Sequence, residues 1–299
     1  MIYISRNRKS SEDIITESSK TLNFLYGTFV GRIVLKILTR RWISNLIGLY
    51  MNSSLSKHKI KKFIDKNNIN TYEYEYKHYK SYNEFFTRKV IESKRPINAS
   101  KDTLISPCDS KLTAYKINDD LTLRIKDSFY SVNSLIEEDI MEEYKGGDAL
   151  VFRLSTDNYH RYCYIDSGKK SKNYYINGIF HTVQPISLNH YNFYKTNSRE
   201  WTILHTNNFG KVIDIDVGAL GVGRIKNNHN EYEFKKGEEK GYFEFGGSTI
   251  VLLFKKNTIE LDRDIIENSK DNIETIVKYG ERIGKAKFFT RIINKIKSI

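Results

Sequence analysis

From about residue 100 the chain is a series of short apolar, β-branched runs separated by glycine and polar residues. "ALVFRLS", "YCYID", "NYYINGIF", "KVIDIDVGALGVG" and "STIVLLF" each have the length and composition of a strand. The last is the most constraining. Thr249–Phe254 holds no charged residue and follows two glycines and a serine in "EFGGSTIVLLF". Such an apolar, β-branched run reads as a buried strand. The glycines before it predict a turn, with the Gly247–Ser248 peptide at the mouth of the strand. A β-rich core of this kind needs a chain long enough to bury it. With 299 residues and 39% hydrophobic composition, the length suits one large domain or two small ones.

The N-terminal part reads differently. "TLNFLYGTFVGRIVLKILTRRWISNLIGLYM" (21–51) is the most apolar stretch, but Arg32, Lys36, Arg40 and Arg41 interrupt it before it reaches a membrane-spanning length. Leu25, Phe29, Ile33 and Ile37 recur every fourth residue and so share one face of a helix. Arg32, Lys36 and Arg40 form a cationic stripe at the same spacing. Such a helix either packs on its own domain or lies in a bilayer interface. A second short basic helix is predicted in "SKHKIKKFIDKNN" (56–68). Of the net +13 charge, most sits at the ends. Residues 1–100 hold 19 Lys and Arg against 8 Asp and Glu, and residues 281–299 hold six against one. Basic ends suit an anionic lipid surface or nucleic acid, or form a solvated lysine-rich surface. Nucleic acid is disfavoured, because no zinc-finger spacing or RNA-binding signature is present. The tyrosines at 72, 74 and 76 alternate with Glu73 and Glu75, which would repel phosphate. Two cysteines, Cys108 and Cys163, make no secreted disulfide framework, and the N-terminus lacks the apolar core of a signal peptide. Both features fit reduced thiols in a cytosolic compartment.

Four stretches could carry chemistry: "SPCDS" with Asp109, "TDNYHRYCYIDSG" with His160 and Cys163, "NGIFHTVQPIS" with His181, and the serine of "FGGST". Singly, each has an ordinary structural reading. An Asp at a turn caps backbone N–H groups, and a lone His near a strand is most often a hydrogen-bonded core residue. His160 and Cys163 have no second pair to complete a zinc site, and GxSxG is absent around Ser248, which excludes a hydrolase-type nucleophile elbow.

Together and in order, these stretches resemble a known family. "YNEFFTRKV" followed by "RPI" (82–97), "SPCDS", "NYHRY", "NSRE" (197–200), "FGKVIDIDVGALGVGRI" (209–225) and "KGEEKGYFEFGGSTIVLLF" (236–254) are similar to the motifs of the pyruvoyl-dependent phosphatidylserine decarboxylases, prokaryotic type. The resemblance spans about residues 82–254, and the Gly-Ser-Thr closing the last motif is its most diagnostic part. It implies that Ser248 attacks the Gly247 carbonyl and that elimination then splits the chain. The products would be a β chain, 1–247, and an α chain, 248–299, headed by a pyruvoyl group derived from Ser248. That covalent group would be the cofactor, with no metal. It would form a Schiff base with phosphatidylserine and accept the electrons released as CO2 leaves, giving phosphatidylethanolamine.

The residue types suit this chemistry. A serine needs a base to take its proton; His160 with Asp109 behind it could supply one, with His181 as substitute or addition. Glycine on the acyl side permits strained backbone at the attacked carbonyl. Arg199 could hold the substrate phosphate or carboxylate, or form a surface salt bridge. One departure stands out: where many members carry a second histidine three residues after that of Tyr-His-Arg, this chain has Cys163.

The expected fold is α+β: a basic helical membrane-associating region, 1–80, before a sandwich-like β-rich catalytic core, 81–299. The expected location is peripheral on the cytoplasmic side of the cell membrane. The expected partners are phosphatidylserine, an anionic membrane surface and the two chains of one precursor; no nucleic acid is expected, and a homodimer is compatible with the reading. The competing readings are a pyruvoyl enzyme for a soluble amino acid and a non-catalytic basic membrane-binding protein.

Overall fold

A computed structural model of the chain describes residues 2–6, 15–16, 20–120, 122–125, 128–131, 135–136, 139–178, 197–221 and 224–287. The Gly246–Phe254 strand lies inside an eleven-stranded sheet, between Gly210–Gly221 and Asp148–Leu154. Arg199–Thr206 continues the sheet on one side. Ser110–Lys116, Glu274–Val277 and Ile2–Ser5 continue it on the other. Neighbours are antiparallel except for Ile2–Ser5, which runs parallel to Glu274–Val277.

The uncharged run has its predicted cause. Ile250, Leu252 and Phe254 pack with Leu150, Phe152, Tyr162 and Phe243 in one apolar cluster, and Val251 and Leu253 pack with Val151, Ile213 and Ile215 in another. Both faces of the sheet are therefore covered. A three-stranded sheet (Arg161–Cys163, Glu239–Phe243, Ile225–Asn227) contributes residues to the first cluster. That face also holds an ionic group: Lys240 reaches Asp216 at 2.6 Å and Asp214 at 3.1 Å, all three buried. The fold is α+β, as expected. The N-terminal segment is not wholly helical, since Ile2–Ser5 is a sheet strand.

Residues 20–67 form four helices: Lys20–Gly27, Phe29–Leu38, Arg41–Asn52 and His58–Asn67. The first two meet closely. A Cβ at Gly31 would lie 2.0 Å from the Phe24 carbonyl oxygen, so only glycine allows the contact. Thr28 caps the second helix, its hydroxyl accepting from the Gly31 N–H at 3.0 Å. Leu25, Tyr26 and Leu35 are buried between them. The predicted apolar stripe is split between two helices: Leu25 is buried, while Phe29 is 73% exposed and Ile33 and Ile37 about half. Trp42, Leu46, Leu49 and Leu55 are also exposed. No helix among the described residues is long and apolar enough to cross a membrane.

Candidate active site

Ser248 is fully buried where two ladders run out together. Its pairing with Leu154 is the last of the register with Asp148–Leu154. On the other side the register jumps from Gly218↔Ser248 to Gly221↔Gly246. One strand thus advances three residues while the other advances two, a bulge directly across from Gly247. Gly247 is partly exposed while its neighbours are buried. The Gly247–Ser248 peptide therefore lies at a gap in the hydrogen-bonded ladder. The backbone strain lies one residue earlier than the sequence reading placed it: Gly246 has a φ of 143°, a value side-chain-bearing residues rarely adopt.

Two polar atoms here lack a hydrogen-bond partner, Ser248 Oγ and His160 Nε2, although both residues are completely buried. The imidazole is fixed from its other nitrogen, with Nδ1 2.9 Å from the Asn158 carbonyl. A carbonyl can only accept, so Nδ1 carries the proton and Nε2 presents a bare lone pair. Burial drives the ring's pKa down from 6.5 to about 3, and the Arg88 charge lowers it further. The backbones of Asn158 and Gly246 act in the opposite direction, although Gly246 completes no hydrogen bond to Nε2. The ring packs on Phe86 at 4.2 Å between centroids. His160 is thus a neutral base with a free acceptor, held beside the turn that leads into Ser248.

Asp109 is placed differently from the sequence expectation. Its carboxylate accepts from Arg95 Nε at 2.9 Å, from Arg95 Nη2 at 2.7 Å and from the Tyr279 N–H at 2.8 Å. Lys278 stands 3.5 Å away. Burial pushes this carboxyl up, but Arg95 and Lys278 outweigh it and hold it below the ordinary range. The carboxylate makes no hydrogen bond to His160; the buried guanidinium, itself tied to Glu73 at 2.9 Å, takes its lone pairs. The imidazole is oriented by a backbone carbonyl instead. Cys163 is buried and its thiol is pushed by burial up to about 12, so it stays protonated at neutral pH.

Arg199 is buried rather than at the surface. It donates to the Leu135 carbonyl at 2.6 Å and the Asn197 carbonyl at 3.2 Å. His181 lies outside the described residues. The sequence reading missed Phe86, Arg88 and Arg95, although all three stand in its motifs "YNEFFTRKV" and "RPI". The signal was the cost of burial: arginines inside otherwise apolar motifs need a buried anion or carbonyl.

The helices reach this site. Asn83, on the short helix Tyr82–Phe86, donates to Asn52 at 2.9 Å and accepts from the Phe245 N–H at 2.9 Å. Phe245 packs on Tyr82 and Phe86. The exposed apolar helices and the turn before Gly246 are therefore joined by one side chain.

A family model described as phosphatidylserine decarboxylase matches residues 82–285. The chain is 52% identical to phosphatidylserine decarboxylase proenzyme 2 of Clostridium acetobutylicum, covering 88% of this chain and 91% of the relative. It is 41% identical to the phosphatidylserine decarboxylase proenzyme of Clostridium perfringens, covering 95% and 99%. It is 42% identical to that of Ruminiclostridium cellulolyticum, covering 93% and 96%.

Proposed function

The chain belongs to the phosphatidylserine decarboxylase family, and from that premise we infer how its residues carry out the two reactions such a proenzyme must perform. It is a carboxy-lyase made as a precursor, converting phosphatidylserine to phosphatidylethanolamine and CO2. The observation that carries the residue assignment is the pairing of a ladder gap at Gly247–Ser248 with two buried, unpartnered atoms, Ser248 Oγ and His160 Nε2.

In self-cleavage, His160 Nε2 takes the Ser248 hydroxyl proton as Oγ attacks the Gly247 carbonyl carbon. The C–N bond breaks, the proton passes to the freed amine, and an ester links the two segments. Removal of the Ser248 α-proton then expels the Gly247 carboxylate. Tautomerisation and addition of water release ammonia, leaving a pyruvoyl group on residue 248. Gly246 supports this sequence because its left-handed backbone lets the chain turn away from the strand at the attacked bond.

The fit of that group to the site rests on the same atoms: Ser248 is held at the mouth of a fully packed strand, so the new terminus stays anchored. Once formed, the group supplies a ketone that can accept the substrate amine and draw in the electron pair released with CO2. His160, neutral with Nε2 free, is suited to hand a proton to the carbon that loses the carboxylate. Asp109 acts by holding Arg95 and the Tyr279 backbone, and so positions the segment behind the site.

The exposed apolar residues of the first three helices support a peripheral membrane location. Phe29, Ile33, Ile37, Trp42 and Leu49 stand in water, with Arg32, Lys36 and Arg40 exposed among them. An anionic bilayer would cover the first set and attract the second, and Asn83 ties this surface to the reacting turn. A decarboxylase of soluble amino acids would have no use for it.

The test is the intact mass under denaturing conditions. We expect two chains divided between Gly247 and Ser248, the smaller blocked at its N-terminus. The Ser248→Ala protein should remain one chain. An uncut wild-type protein that is active on phosphatidylserine would overturn the assignment.

A further inference from the structure

Arg88 is buried, 2% exposed, and no carboxylate lies within ion-pair distance of it among the described residues. Its Nε has no partner. Its other nitrogens make only long contacts, to the Phe85 and Phe86 carbonyls at 3.4 Å and to the Tyr74 hydroxyl at 3.2 Å. The guanidinium lies over the Tyr74 ring at 4.2 Å, which attracts a cation but does not neutralise it. Two of the other buried arginines have an anion of their own, whereas Arg199, described above, donates to backbone carbonyls. Arg95 has Asp109, and Arg153 has Glu274 at 2.6 Å. An isolated buried cation is costly, and a chain that keeps one gains from an anion that arrives later.

The position of Arg88 suggests which anion. It borders a cavity of about 270 Å³ lined by Glu75, Lys77 and Tyr79 and by residues of the two segments that flank the imidazole. Thr87 and Arg88 follow Phe86, which lies on His160, and Arg161 follows His160 itself. Arg161 ties the two together by donating to the Thr87 carbonyl at 2.9 Å. The lining holds four cations, Lys77, Arg88, Lys89 and Arg161, against two carboxylates, Glu75 and Glu84. Glu84 is taken by Lys77 at 2.6 Å, and Arg161 by Glu239 at 2.8 Å. What remains is a net cationic recess bordered by Arg88, a residue that also keeps a buried Nε without a partner.

We propose that Arg88 forms an oxyanion subsite that receives the phosphodiester of the lipid headgroup. This rests on the decarboxylase reading and adds to it the group that orients the substrate beside His160. A planar guanidinium can bind two oxygens of one phosphodiester at once, which a lysine cannot.

Arg88→Met keeps the unbranched bulk against Tyr74 and Phe85 and removes the charge. We expect complete self-cleavage, nearly unchanged kcat, and KM for phosphatidylserine vesicles raised about ten- to a hundredfold. The melting temperature should hold or rise, because the variant no longer buries an unpaired cation; a purely structural arginine would lower it. Arg88→Lys should give a smaller rise in KM. Two small probes that lack a primary amine separate the substrate's two oxyanions in melting experiments on the processed protein. Glycerophosphocholine carries the phosphodiester alone, and lactate a carboxylate alone. We expect glycerophosphocholine to stabilise the wild type and not the Met variant. Stabilisation by lactate alone would move the subsite to the substrate carboxylate and overturn the phosphodiester assignment. A wild-type melt that neither probe shifts, or a KM that Arg88→Met leaves unchanged, overturns the subsite itself. Wild-type protein inactive on phosphatidylserine would instead count against the decarboxylase reading.

Discussion

The sharpest consequence of the site is the acid sensitivity contributed by one imidazole. His160 is fully buried, and its pKa falls from 6.5 to about 3, chiefly because burial penalises the cation. A depressed folded-state value has a definite sign. Above pH 6.5 the ring is neutral folded or unfolded. Between 6.5 and about 3 the unfolded chain takes up a proton that the folded chain refuses. Stability is therefore complete above the upper value and is lost as pH falls toward the lower one, at about 1.4 kcal/mol per pH unit. The loss between pH 7 and 4.5 is then about 2–3 kcal/mol from this residue alone. The assay is equilibrium urea unfolding at both pH values of uncut Ser248→Ala protein, with and without His160→Gln. Glutamine cannot titrate, so the double variant should lose about 2–3 kcal/mol less on acidification, all other groups being common to both. Parallel losses would mean that the imidazole is hydrated in the folded protein, and the free-base reading would go with it. The kinetic corollary is that self-cleavage should show no inflection near pH 6.5, since the folded ring is still neutral there.

Asp109→Asn should destabilise the uncut protein by about 3–5 kcal/mol, because it leaves the buried Arg95 guanidinium with only the partly exposed Glu73 as its charge partner. Urea unfolding measures this, and intact mass reports the cut. A variant of unchanged stability that is never cut would show instead that the carboxylate acts directly on the imidazole. Its own titration also has a sign. The folded carboxyl lies below the ordinary range, so its contribution is present above the unfolded value and disappears as pH falls through the folded one. Exchanging Trp42 and Leu49 for Asp should weaken sedimentation with phosphatidylserine vesicles by about tenfold or more per residue, with the far-UV spectrum unchanged. Undiminished binding would remove these helices from the membrane contact.

Much of the fold was legible because it follows from local pattern. The uncharged Thr249–Phe254 run read as a buried strand, and its two faces enter two apolar clusters. The apolar repeat at Phe29, Ile33 and Ile37 correctly gave a helix, but periodicity does not say what covers a face. The core took Leu25 from that face together with Leu35, and left Phe29, Ile33 and Ile37 outside. Ile2–Ser5 was missed as a strand because its partner, Glu274–Val277, is some 270 residues away. Ser248 and His160 were both found in motifs. The Asp109–His160 pair was not formed, because a carboxylate goes to the strongest buried donor within reach. Here that donor is Arg95, fourteen residues earlier, and no local pattern announces such a pairing.

That competition also explains how one histidine can serve where Cys163 stands in place of a second. A thiol raised to about 12 is not a base at neutral pH, so in the mechanism proposed above the proton transfers are given to His160. A carboxylate partner would raise the imidazole's pKa and stabilise its cation, favouring the protonated ring. A carbonyl partner fixes the same tautomer with less charge stabilisation and leaves the ring neutral. A neutral ring with a bare Nε2 suits the first step, which must begin by removing a proton from Ser248. The orphaned groups around that step, Ser248 Oγ, Thr249 Oγ1, His160 Nε2 and Glu244 Oε2, each leave a buried hydrogen-bonding demand of about 1–3 kcal/mol unmet. In the proposed mechanism these unmet demands stand beside the bond to be broken, while the strand beyond Thr249 is packed on both faces and would keep the new terminus in place.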